Sequence, residues 1–150
     1  MSMKEEVYKE CCEMVIEKIQ VIEAAMAQAQ ESANSEEKST AGDKHDTARA
    51  MSHIERDMYA RQLSEALKLK QTLDSIDINL NRNEVEAGSL VVTDQANYFL
   101  AVALGKIMLE DKTEVFAISP MSPIGQKFLG KMGGAVINFN GRSITVHEVL

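Results

Sequence analysis

The chain has 150 residues, enough for one domain or two small ones but too few for a large catalytic cavity. Its formal net charge of −7 argues against free duplex DNA or an anionic membrane as the main partner, because both need a basic face. Tryptophan is absent and only 5% of the residues are aromatic. An aromatic-lined ligand pocket or a base-stacking platform is therefore disfavoured.

The chain shows no signal for export or membrane insertion. Its first six residues contain no apolar core of a signal peptide, and the longest apolar run, 98–104, is too short to span a bilayer. Cys11 and Cys12 are the only cysteines, and neighbours on a helix rarely bridge, which excludes a disulfide framework. We expect a soluble, cytoplasmic protein with no membrane partner.

The first long pattern is helical. Apolar residues recur at alternating steps of four and three, which is the heptad repeat of a helix that packs along a second helix. The side chains at these positions become smaller toward residue 33, from valine and isoleucine to alanine. A partner helix could therefore approach closely there. These core positions are Tyr8, Cys12, Val15, Ile19, Ile22, Met26, Ala29 and Ala33.

A second helical pattern follows a break. Residues 34–42 do not continue the heptad repeat, and they include several residue types that cap or end helices. The second helical pattern begins at Asp43. Two helices of about thirty residues reach about 45 Å and fold back as an antiparallel hairpin with its tip at 39–50. Its predicted core positions are Met51, Ile54, Met58, Leu63, Leu67, Leu73 and Ile76.

The carboxyl half has β character. The turn-rich residues 79–83 separate a helical hairpin, 1–80, from a second domain, 81–150. Strands are predicted at 89–93, 98–104, 114–118, 135–139 and 143–149, the last two joined by the hairpin signal Asn140-Gly141. Ser122, Pro123 and Gly130 delimit a short helix. The fold class is α+β, with a small antiparallel sheet covered by one helix.

Two carboxylates lie at the predicted tip. Asp43 and Asp46 are three residues apart at the start of a helix, so their Cβ atoms lie about 5–6 Å apart and both side chains can reach one divalent cation. The same spacing resembles a capping box that starts a helix and needs no further function. His45, His53 and His147 lack the spacing of a zinc site.

The motifs resemble those of the bacterial Gre (GreA/GreB) family of transcript cleavage factors, whose coiled-coil hairpin precedes an FKBP-like domain. The tip, residues 42–46, is similar to the family's Gly-Asp-x-x-Glu, and Gly88-Ser89 is similar to the start of its sheet. The stretch from Ser122-Pro123-Ile124 to Leu129-Gly130-Lys131 is similar to its Ser-Pro-Ile-x-x-x-Leu-x-Gly-Lys helix. Order and spacing agree along the whole chain.

The resemblance implies a role in transcription elongation. The hairpin would enter the secondary channel of RNA polymerase, where Asp43 and Asp46 help hold a Mg²⁺ shared with the polymerase and stimulate cleavage of backtracked transcripts. No cofactor would be stably bound, and no activity is expected from the free protein, so it is not an enzyme by itself. The nascent RNA 3′ end would be met only within the complex. The implied partner-binding residues are Lys44, His45, Arg49, Ser122, Pro123, Ile124, Lys127 and Lys131.

Two alternatives stay open. In the family the second tip acid is usually Glu, followed by Asn-Ala-Glu-Tyr, whereas this chain has Asp46 and then keeps only the alanine of residues 47–50. A Gre-like regulator that occupies the channel without cleavage would fit this difference. The other alternative is a coiled-coil interaction or chaperone-like scaffold.

A prolyl isomerase is disfavoured. That chemistry uses an aromatic-lined pocket, which the aromatic residues of the carboxyl half could supply only by leaving the core. Those residues are Tyr98, Phe99, Phe116, Phe128 and Phe139.

Overall fold

A computed structural model describes residues 1–37, 42–81 and 83–150, without the side chains of residues 36, 37, 42–46 and 48. The fold is α+β, with two long helices followed by a six-stranded mixed sheet and one short helix. The helices are α1 (Met3–Glu37), α2 (Gly42–Asp74) and α3 (Pro123–Phe128). The strands are β1 (Leu90–Thr93), β2 (Asn97–Leu100), β3 (Gly105–Met108), β4 (Glu114–Ile118), β5 (Val136–Phe139) and β6 (Arg142–Val149).

The residues group into two compact units. One unit is Met14–Lys70, and the other combines Met1–Glu13 with Gln71–Leu150. The described residues of the first unit are all helical. The second unit contains the sheet, α3, the start of α1 and the end of α2.

Within the helical unit α1 and α2 run antiparallel. Met14 of α1 shares a groove with Leu69 near the end of α2, and Ala33 shares a cavity with Arg49 near its start. Val15, Ile19 and Ile22 are buried, as the heptad in α1 predicts. The first two predicted positions are wrong by one residue, because Val7 and Cys11 are fully buried while Tyr8 and Cys12 are only half-buried.

The core positions predicted for α2 are largely wrong. Met51, Ile54, Met58 and Leu67 are exposed. The predictions hold for Leu73, which is buried, and for Leu63 and Ile76, which are half-buried. The sequence pattern missed Ser52, Tyr59 and Ala66, which share a face with Leu73 because the four recur every seven residues. Two of these positions, Ser52 and Ala66, carry small side chains, whereas Tyr59, Leu63 and Leu73 are large.

The sheet has the strand order β3-β4-β2-β1-β6-β5. It is not purely antiparallel as predicted, because β2 pairs with β4 in parallel, from Asn97↔Val115 to Leu100↔Ile118. The predicted strand 98–104 ends at Leu100, and an additional edge strand, β3, begins at Gly105. The other four predicted strands agree with the observed ones to within one residue.

Two local signals in this unit are confirmed. Asn140 and Gly141 have φ values of 52° and 77°, the left-handed pair of a type I′ turn, and Phe139 faces Arg142 across the hairpin. The helix predicted after Ser122 is α3, and Gly130 just beyond it has a φ of 78°.

The two faces of the sheet are covered differently. Leu100 and Phe128 lie in a cluster of buried residues on the α3 side. Phe99 points to the opposite face because neighbouring strand residues alternate, and there it meets the Tyr8 ring edge-on with centroids 6.5 Å apart. The first turns of α1 thus cover the face away from α3.

Candidate functional site

The predicted acidic tip falls partly outside the described residues. Helix α2 begins at Gly42, so positions 43 and 46 are its second and fifth residues. The side chains of Asp43, Lys44, His45 and Asp46 lie outside the described part of the chain, as do residues 38–41. The helical backbone fixes only the spacing of the two acids along α2.

After these residues, the described part of α2 carries a cluster of arginine and histidine side chains. Arg49, His53 and Arg56 line one small cavity, and their spacing of four and three residues places them on one face of the helix. Helix α1 contributes Met26, Ala29, Gln30 and Ala33 to the same cavity. Of Arg49, His53 and Arg56, only Arg49 was predicted as a partner-binding residue.

Arg56 and His53 contact each other directly. The Arg56 guanidinium donates to Nδ1 of His53. No ion pair engages Arg49 or Arg56 among the residues whose side chains are described. With respect to the described side chains, the two arginines therefore carry positive charge without an acidic partner, which suits an anion. The recurrence of basic residues at positions 49, 53 and 56 was the sequence signal for this cluster.

The predicted docking residues Ser122, Pro123, Ile124 and Lys127 come together on or beside α3. Ser122 caps this helix, because its hydroxyl accepts a hydrogen bond of 3.1 Å from the Gly125 amide and donates one of 2.6 Å to the Ser119 carbonyl. A Cβ atom at Gly125 would lie 2.2 Å from the Ser119 carbonyl oxygen, so only glycine fits there. The start of α3 is thus held tightly against the loop before it.

The side chains around α3 have different environments. Ile124 is half-buried against the core cluster, whereas Lys127 and Lys131 are exposed. The carbonyl of Lys131 accepts a hydrogen bond of 2.8 Å from the Val85 amide, and the Gly130 amide donates one of 2.8 Å to the Val85 carbonyl. The segment after α3 is therefore fixed to residue 85. Lys127 at the end of α3 and Lys131 in this segment are both presented to solvent.

An aromatic cavity in the sheet unit corrects one expectation. Phe99 and Phe128 are fully buried, but Tyr98 and Phe139 line a cavity beside α3 without leaving their strands. The argument that the aromatic residues could form a pocket only by leaving the core is therefore wrong for these two residues.

The helical unit carries an open groove on one side of the helix pair. It encloses about 850 Å³ and is lined by Met14 and Val21 of α1 and by Ala66 and Leu69 of α2, together with charged residues.

Within the described ranges, no three acidic, histidine or cysteine side chains lie close enough to share a metal ion. In the same ranges, no helix combines the length and apolar character needed to cross a bilayer.

The chain was compared with models of known protein families and with curated proteins. Neither comparison finds a match.

Proposed function

We propose that this chain is a Gre-like transcription elongation factor that binds RNA polymerase and stimulates Mg²⁺-dependent cleavage of backtracked transcripts. One observation carries the proposal. Asp43 and Asp46 are among the first five residues of α2, and α2 runs antiparallel to α1 with only four residues between the two helices. Two acids three residues apart at the turn of a helical hairpin can be carried together into a channel.

The chemistry of the two acids fits a shared cation. Carboxylate oxygens are the ligands that Mg²⁺ prefers, but the ion keeps most of its water and needs more than two protein ligands. Asp43 and Asp46 would therefore add oxygens to a Mg²⁺ held mainly by the polymerase. When bound, this ion would supply charge stabilisation for phosphodiester hydrolysis. The free protein would neither hold the metal tightly nor cut RNA.

The positive cluster on α2 supports the same proposal. Arg49, His53 and Arg56 follow the acids along the helix, and the two arginines form no ion pairs with the described side chains. A transcript that reaches the acids carries a phosphate at every nucleotide, which such a cluster can neutralise. We assign Arg49 and Arg56, together with Lys44 and His45, to contacts with the transcript or the polymerase.

The sheet unit is proposed to be FKBP-like and to dock on the rim of the channel. Support comes from the single helix α3 on one face of the sheet and from the tight cap at Ser122. Pro123 and Ile124 begin the helix, and the exposed Lys127 and Lys131 give it a positive border. A rigid helix with such a border suits an acidic surface of a protein partner.

Polymerase binding tests the docking role of α3. Lys127→Glu should weaken binding of the full chain to the cognate core polymerase by about fivefold at low salt, the range expected of an exposed charge pair. Lys112→Glu reverses another exposed charge, in the β3–β4 loop, and should leave the affinity unchanged. Equal affinities for the two variants in a fluorescence titration would remove α3 from the proposed interface.

A second candidate is a regulator that occupies the channel without stimulating cleavage. The side chain of Asp46 is one methylene shorter than the usual glutamate, and residues 47–50 differ from the family pattern except at the alanine. Both candidates predict polymerase binding, but only the first predicts shortening of the transcript.

A further inference from the structure

A cavity in the sheet unit has the composition of a ligand site. It encloses about 410 Å³, within the range of ordinary ligand pockets. Its apolar walls are Tyr98, Ile124, Phe139 and Ile144. Its polar border consists of Gln95, Asn140 and Arg142. The cavity can therefore take an apolar group together with a polar or charged one.

Tyr98 is one of the residues that line this cavity. The Tyr98 ring is fixed by two aromatic neighbours, with its centroid 5.0 Å from that of Phe128 and 5.9 Å from that of Phe116. No hydrogen bond engages its hydroxyl anywhere in the described part of the chain. Burial raises the pKa of Tyr98, so the hydroxyl keeps its proton at neutral pH. It remains available as a hydrogen-bond donor.

Arg142 places a positive charge at the same cavity. The tight turn at Asn140 and Gly141 sets Arg142 directly opposite Phe139, one of the apolar walls. No acid pairs with its guanidinium among the described residues. The carboxylate of Asp94, on the loop that also carries Gln95, accepts instead from the Thr145 amide at 2.9 Å. The complement of Arg142 is an anion, and the planar guanidinium suits a carboxylate.

We infer that this cavity binds a peptide segment in which an apolar side chain is followed by a carboxylate. The apolar side chain would enter between Phe139, Ile124 and Ile144. The carboxylate would pair with Arg142, and the Tyr98 hydroxyl would donate to a carbonyl of the segment. This inference does not rest on the proposed role of the hairpin.

The test uses the full chain labelled with ¹⁵N and the peptide acetyl-Ala-Leu-Asp-Ala-amide. Saturable changes should appear in the backbone amide signals of Gln95, Tyr98, Asn140 and Arg142. The isosteric acetyl-Ala-Leu-Asn-Ala-amide should bind about two- to fivefold more weakly, because it lacks the charge. Acetyl-Ala-Ala-Asp-Ala-amide should bind about tenfold more weakly, because it buries less apolar surface.

Three variants separate the contributions. Arg142→Gln should abolish the preference for Asp over Asn, whereas Arg61→Gln, which changes an exposed arginine of α2, should preserve it. Tyr98→Phe keeps the ring but removes the hydroxyl, so it should lower the affinity for the Asp and Asn peptides by the same factor. The inference is overturned if no saturable changes occur at the four amides, if the parent binds the Asp and Asn peptides alike, or if Arg142→Gln retains the preference. No polymerase is present, so such a failure leaves the proposed function untouched.

Discussion

The hydroxyl of Tyr8 donates a hydrogen bond of 2.7 Å to the main-chain carbonyl of Leu73, which joins the start of α1 to the end of α2. The last four carbonyls of a helix lack partners within the helix, and Leu73 belongs to the last turn of α2. The same carbonyl also accepts from the Ile76 amide at 3.1 Å. The Tyr8 ring meanwhile packs edge-on against Phe99 of the sheet. One side chain thus connects α1, α2 and β2.

Removal of the Tyr8 hydroxyl should lower the free energy of unfolding by a small but measurable amount. Tyr8→Phe keeps the ring contact with Phe99 and leaves the Leu73 carbonyl bonded to Ile76. We therefore expect the free energy of unfolding to fall by about 1 kcal/mol, the net value of one hydrogen bond. Urea denaturation followed by circular dichroism measures it. Tyr59→Phe is the matched control, because no described residue bonds the Tyr59 hydroxyl, and an equal loss there would contradict the assignment.

The packing of α1 against α2 can be tested with two valines of the same helix. Val15 is 1% exposed and Val21 is 63% exposed. Val15→Ala should cost about 2 kcal/mol of unfolding free energy, since it leaves a cavity in the helix interface. Val21→Ala should change it by less than about 0.5 kcal/mol. Equal costs for the two substitutions in urea denaturation would place the helix interface elsewhere.

Stability should depend on the Cys11 thiol at alkaline pH. Burial raises its pKa from the ordinary value of 9.0 to about 12. The folded protein therefore holds this proton more tightly than the unfolded chain. The contribution to stability is complete below about pH 9 and is lost as pH rises toward 12. At pH 10.5, 1.5 pH units above the unfolded pKa, the parent should lose up to about 2 kcal/mol relative to Cys11→Ala.

The measurement compares urea denaturation of the reduced parent and of Cys11→Ala at pH 8 and 10.5. Subtraction of the variant removes the effect of the other groups that titrate in this range, which include Tyr8. Val15→Ala introduces no titratable change, so its cost should be the same at both pH values. A difference between parent and Cys11→Ala that does not change with pH would show that the thiol ionises equally in both states.

Much of the fold follows from local sequence signals. The heptad of α1 is clear because Val15, Ile19 and Ile22 are large, apolar and buried, so pattern and packing agree. The turn at Asn140-Gly141 and the cap at Ser122 depend on a few adjacent residues and were predicted correctly. These features need no information about distant parts of the chain.

The failures concern relations between distant segments. In α2 the large residues Met51 and Ile54 formed the more hydrophobic pattern, but Ser52 and Ala66 face α1. Hydrophobicity alone cannot reveal that small or polar residues such as these lie on the face that packs against a partner helix. The parallel pairing of β2 with β4 was also hidden, because the intervening strand β3 pairs on the far side of β4.

In the candidate sites, too, features that depend on adjacent residues were predicted, whereas features that depend on distant segments were not. The residues at the start of α3 were predicted from a local motif, and the structure brings them together. The cluster of Arg49, His53 and Arg56 was only partly predicted, because its cavity depends on where α1 passes along α2. The cavity at Tyr98 and Arg142 depends on the meeting of β2, α3 and the β5–β6 hairpin, which no local pattern describes.

The central claim is that Asp43 and Asp46 assist transcript hydrolysis within RNA polymerase. Its most direct test is RNA cleavage in a stalled, backtracked elongation complex of the cognate polymerase with Mg²⁺. The parent chain should shorten the transcript, whereas the double variant Asp43→Ala, Asp46→Ala should bind the polymerase nearly as well and leave the transcript intact, because several kcal/mol of charge stabilisation is lost. Shortening by the double variant at the parent's rate would contradict the claim, and so would binding of the parent without any shortening.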